Sequence, residues 1–219
     1  RDALSRQHLT ERLARKGFAA ICSPIAEWMH YSDFLVMEKI SLAEMSTIER
    51  LGVRLKQTIM RKDERRIKSL LAACGLVHPE PVDIESIIAH ASPFISPNLA
   101  GEAILTIGSA LKEVGCHSCG VIAIGPFGCM PNRLSEAILN EIMNRDDKLA
   151  LSPSDRELHQ TLADTQDLPF LAIESDGSPF PQLIDAKLEA FCLRARRLHA
   201  QMSESSARRK GKTPRPAAQ

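Results

Sequence analysis

Aromatic side chains are scarce, with seven Phe, one Trp and one Tyr making up 4% of 219 residues. A protein that stacks bases on aromatic platforms is therefore not expected. Long apolar runs are missing, and none reaches the roughly 18–20 residues of a membrane-spanning helix. No signal peptide is visible. Six cysteines are too sparse for a disulfide scaffold, so a reduced, cytoplasmic setting is expected. There is no Walker A loop, no G-x-G-x-x-G and no H-E-x-x-H, so no motif points to ATP or to a helix-borne zinc site. Internal repeats are absent.

Apolar residues at 44% and charged residues at 25% are ordinary for a globular chain. The net charge is only +1, but it is unevenly placed. Residues 204–219 hold Arg208, Arg209, Lys210, Lys212 and Arg215 against one acid, Glu204. That segment carries +4 and leaves −3 for the rest. A mildly acidic body argues against a nucleic-acid-binding core, and neither nucleic acid nor a membrane is expected as a partner.

Apolar periodicity places a helix over 4–16, stopped at Gly17, and a buried strand over 18–22, ended by Pro24. Residues 25–75 read mostly as helix, with Ile48, Leu51, Leu55 and Ile59 on one face. The basic run Arg61–Lys68 reads as a solvated helix face. Asp83 caps a short helix, and Ser96-Pro97 opens the next. Gly101 and Gly108 inside that helix point to close packing against a neighbouring backbone. Strands follow at 119–125 and 169–174, each leading toward a helix that opens at a proline, Pro131 and Pro181. Residues 144–167 are polar and expected to be irregular or briefly helical. Alternating strands and helices imply an α/β domain with a parallel sheet of about three strands, buried on both faces. Its expected parts are a truncated start at 1–40, a helical insertion at 41–115, the remainder at 116–202 and a disordered basic C-terminal tail at 203–219.

Cys129 is the best-placed cysteine. It follows a strand and the loop Gly125-Pro126-Phe127-Gly128 and precedes a proline-initiated helix. Ligand sites in open α/β sheets form beyond the carboxyl ends of the strands. A helix N-terminus favours a thiolate or an anionic cluster. Cys129 is thus a candidate metal ligand, or else a small cysteine beside a tight turn. Cys116-His117-Ser118-Cys119 lacks the second pair of a zinc site and sits at the opposite end of its strand, so Cys116 and Cys119 read as structural. Cys22, Cys74 and Cys192 read as core residues. Glu174 and Asp176 could act as acid–base groups or orient a substrate, or Asp176-Gly177 could simply form a turn. Arg133 could bind an anion or pair with a carboxylate.

The strings Gly120-Val-Ile-Ala-Ile-Gly-Pro-Phe-Gly-Cys-Met-Pro-Asn-Arg133, Gly101-Glu-Ala-Ile-Leu-Thr-Ile-Gly-Ser-Ala-Leu111 and Leu168-Pro-Phe-Leu-Ala-Ile-Glu-Ser-Asp-Gly177 together resemble the C-terminal end of the acyl-CoA dehydratase activase-related proteins. Those are similar to 2-hydroxyacyl-CoA dehydratase subunits and double-cubane iron–sulfur proteins. The resemblance covers nearly all of residues 1–200. It implies a partial Rossmann-like fold, an iron–sulfur cluster and low-potential electron transfer driven by an ATP-dependent activator component. It makes Cys129 one cluster ligand, expects the other ligands in upstream domains of the same protein, and gives Cys116 and Cys119 no role. Relatives carry a glycine-led strand just before the segment matching Arg1-Asp2, so the chain is expected to be a fragment. That strand would be a fourth, lying between the first and second strands read here. The rival expectation is a structural or interaction module whose Cys129 is inert.

Overall fold

The computed structural model describes residues 8–38, 46–77, 79–99, 101–176, 178 and 182–211. The described chain divides into two units, one within His8–Gly108 and one from Ser109 onward. Helices dominate both, and the described residues contain a single two-stranded parallel sheet.

The first unit holds α1 (Leu9–Arg15), α2 (Ile25–Met37), α3 (Thr47–Leu71), α4 (Ile84–Ala91) and the start of α5 (Ala103–Glu113). Ser46 opens α3 with a reciprocal cap: its hydroxyl accepts the Glu49 N–H at 3.3 Å, and its own N–H donates to the Glu49 carboxylate at 2.8 Å. Asp83 caps α4 as expected, accepting the Ser86 N–H at 3.0 Å. Ile84, Ile87, Ile88, Ala91, Ile104 and Ile107 form the buried centre. Gly108 lets α5 reach α4: a Cβ there would lie 2.1 Å from the Ile87 carbonyl oxygen.

Three expectations in this unit need correction. Residues 18–22 form no strand; the segment carries no ladder hydrogen bonds and Ile21 is 64% exposed. A short apolar run becomes a strand only where another strand completes its hydrogen bonds, and among the described residues none does. Ser96-Pro97 does not open a helix, because α5 begins at Ala103. Gly101 consequently lies outside the helix, with open space around it and φ at +150°; only Gly108 packs closely. Cys22 and Cys74 are exposed rather than core. The residues before His8 in the expected first helix lie outside the described residues.

The second unit continues through β1 (Val121–Pro126), α6 (Met130–Ile142), α7 (Arg145–Leu151), α8 (Arg156–Thr161), β2 (Phe170–Ser175) and α9 (Gln182–Gly211). β1 and β2 pair in parallel, from Val121↔Phe170 to Pro126↔Ser175. The intervening helices supply the crossover that parallel strands require. In β1 only Ala123 is fully buried. The burial on both faces expected of a parallel strand is therefore not reached in β1, and the described residues hold two strands rather than about three. β2 is better enclosed, with Phe170, Leu171 and Ile173 buried. Leu188, Phe191, Cys192, Ala195 and Leu198 bury one side of α9, close to the expected face.

One expectation holds here and one changes. The segment 144–167 is briefly helical, in α7 and α8, capped by Asn144 and Asp155. The supposed tail is helical through Gly211, and Thr161 donates to Ser205 at 3.0 Å. Its serines and alanines permit helix, and no proline interrupts before Pro214. The remainder, 212–219, lies outside the described residues.

Candidate functional site

The carboxyl ends of β1 and β2 collect most of the singled-out side chains. Cys129 is the N-cap residue of α6, with extended backbone and no side-chain cap bond. Its thiol is free and half-buried. The loop before it is tied at both ends: Phe127 N–H donates to the Ser175 carbonyl at 3.0 Å, and Cys129 N–H to the Pro126 carbonyl at 3.1 Å. Phe127 and Met130, flanking Cys129, are 75% and 71% exposed.

Gly125 is paired with Glu174 in the ladder. A Cβ on Gly125 would lie 2.6 Å from Cγ of Asn132, so the missing side chain makes room for this amide over the strand end. Asn132 Nδ2 is buried without a hydrogen-bond partner. Arg133, on the first turn of α6, reaches Glu174 at 2.8 Å from Nε to Oε1, and donates to Glu136 at 2.9 Å. The approach to Glu174 is close but poorly aligned for hydrogen bonding, and Oε1 is buried with no hydrogen-bond donor. The contact is therefore a charge pairing. Of its two expected roles, Arg133 fills that of a carboxylate partner.

Asp176 is fully exposed and accepts the Ser178 N–H at 2.8 Å. That hydrogen bond holds its carboxyl below the usual range. It is the geometry of a turn residue. Gly177 beside it lies outside the described residues.

Cys116 and Cys119 sit before the amino end of β1, and Cys129 follows its carboxyl end. Burial pushes the Cys119 thiol up, which suits an inert thiol. Close to Cys116 stands Lys148 on α7, only 1% exposed. Its ammonium donates to the carbonyls of Leu111 and Lys112, the latter at 3.2 Å, at the end of α5. Burial drives its pKa down, and the neighbouring Cys116 thiol opposes that shift. Sequence reasoning missed both Lys148 and Asn132. Lys148 lies in a polar stretch with nothing to mark it. Asn132 could have been found, since it occupies the first helical turn after a glycine-rich strand exit.

Comparison with protein families, curated proteins and solved structures found no match. The reading of this edge rests on its own geometry. Among the described residues no three His, Cys, Asp or Glu side chains converge as a metal-binding set. Cys129 fits as one thiolate donor, and a full cluster would draw its other donors from elsewhere.

Proposed function

We propose that this chain contributes Cys129 as one thiolate ligand to an iron–sulfur centre of the 2-hydroxyacyl-CoA dehydratase and activase type, completed by thiolates from upstream domains or a partner. One observation carries the reading: Cys129 heads a helix beyond the carboxyl end of a parallel strand, with its thiol outside any cap and two exposed apolar side chains beside it. Ligands gather at this end of parallel sheets. Phe127 and Met130 form a rim that a second protein surface would cover, bringing further donors to Cys129. The Arg133–Glu174 pair fixes the first turn of α6 against β2 and so holds the N-cap in place. The cluster itself would supply one-electron transfer at low potential, with an ATP-dependent activator component as the electron source. Glu174 and Arg133 would tune charge next to it.

The same exposed rim favours a second reading, a metal-free interaction module in which Cys129 is a bystander. Anaerobic reconstitution with iron, sulfide and dithiothreitol separates the two, since the added dithiol can complete an open ligand set. The first reading expects retained iron and an EPR signal on reduction. The second expects neither.

A further inference from the structure

We infer that α3 is a binding surface for anionic lipid membranes, reversing the expectation that no membrane is a partner. The helix spans 25 residues, about 37 Å at 1.5 Å per residue. It is mounted inside out. Val53, Gln57, Met60, Glu64 and Lys68 recur at helical spacing and are the less exposed positions. Polar bonds fasten that side. Glu64 takes His30 Nε2, Lys68 Nζ and the Val82 N–H, each at 2.9 Å, and Lys56 pairs with Asp33 at 2.6 Å.

The opposite side carries Ile48, Leu51, Leu55, Ile59 and Leu70, all exposed, with Ile48 at 82%. Lys62 and Arg66 continue the same row between Ile59 and Leu70. Eight basic and three acidic residues give the helix a net +5. Arg54, Arg61, Lys62, Arg65 and Arg66 are exposed.

An apolar row that carries Lys62 and Arg66, with Arg54 and Arg65 along one flank, matches an interfacial helix. The sign of the charge selects the occupant. A second copy of α3 would repel this one. An apolar protein groove would bury Lys62 and Arg66 within the seam, which is costly unless each meets an acid. On a lipid surface their long stems lie along the apolar row while the charged ends reach the phosphates. The polar fastening of the inner side leaves the outward row free to lie flat on the bilayer.

The test is co-sedimentation of the full chain with vesicles of phosphatidylcholine alone or with 30% phosphatidylserine, at about 0.1 M salt. The expected result is binding that requires phosphatidylserine and is lost at high salt. Lys62→Ala with Arg66→Ala should lower partitioning about 25-fold, roughly fivefold per charge. Leu55→Ser with Ile59→Ser should lower it about a hundredfold. These side chains are exposed, so far-UV circular dichroism should be unchanged; if that pair unfolds, Ile48→Ser with Leu51→Ser serves instead. No vesicle binding, equal binding to pure phosphatidylcholine, or full binding by the serine variants would overturn the inference. So would sedimentation velocity showing a dimer that the serine variants abolish.

Discussion

Replacing Gly108 with alanine is expected to destabilise the helical unit, although alanine is the better helix former. The added Cβ would stand 2.1 Å from the Ile87 carbonyl oxygen and 2.8 Å from its carbon. Both are backbone atoms of α4, so no rotamer change relieves the clash and the two helices must part by about 1 Å. Overpacking of this kind costs typically 1–3 kcal/mol, and backbone-to-backbone contact puts it at about 3. Removing a glycine from a helix interior returns about 1 kcal/mol. The net loss is about 2 kcal/mol, or roughly 10 °C for a unit of this size. Gly52→Ala is the control. It sits in α3 with nothing within 4 Å of its missing Cβ, so only the propensity gain remains, and stability should rise by about 1 kcal/mol. Urea titration of both variants gives the two signs directly. A neutral or stabilising Gly108→Ala would refute the close approach of α5 to α4.

Two buried ionisable groups make further predictions. Burial works to raise the Glu64 pKa, but hydrogen bonds from Lys68, His30 and the Val82 N–H outweigh it and hold the carboxyl below its ordinary value. A carboxyl lowered by folding stabilises the fold above its unfolded pKa of about 4.3, and this is lost as pH falls through the folded value. Glu64→Gln should cost about 1.5–3 kcal/mol at neutral pH, and its melting temperature should fall less than the wild type's between about pH 5 and pH 3. Lys148 gives a dependence of the same sign in a higher pH range. A lysine lowered by burial makes the fold gain stability as pH rises from its folded value toward about 10.4. Lys148→Met should cost about 1–3 kcal/mol at pH 7 by leaving the Leu111 and Lys112 carbonyls without their donor. Denaturant titrations at pH 7 and about pH 10 should show a pH-linked gain in the wild type that the variant lacks.

Local signals in the sequence marked helix starts and strand exits well. Asp83, Cys129 and the loop 125–128 all lie where their chemistry placed them, because caps and tight turns depend on a few adjacent residues. Pairing was less legible. Phe18–Cys22 has strand-like apolar character, yet whether it joins a sheet depends on a distant partner that no local pattern reveals. Ser96-Pro97 has the form of a helix start, but α5 begins at Ala103, showing tertiary packing prevailing over a local signal. At the candidate site, Cys129, Arg133 and Glu174 were visible because two strands ending at the same edge bring their exit residues together. Asn132 escaped notice because its role depends on the space that Gly125 leaves open. Lys148 escaped because a buried cation at the end of another helix has no sequence signature.

The iron-to-protein ratio after anaerobic reconstitution and desalting, compared across cysteine variants, tests the role of Cys129 most directly. The wild type and the Cys116→Ser, Cys119→Ser double variant should retain iron equally, and Cys129→Ser should retain almost none. Iron that survives Cys129→Ser but is lost with Cys116 and Cys119, or a wild type that holds no iron, would contradict the assignment of Cys129 as a cluster ligand.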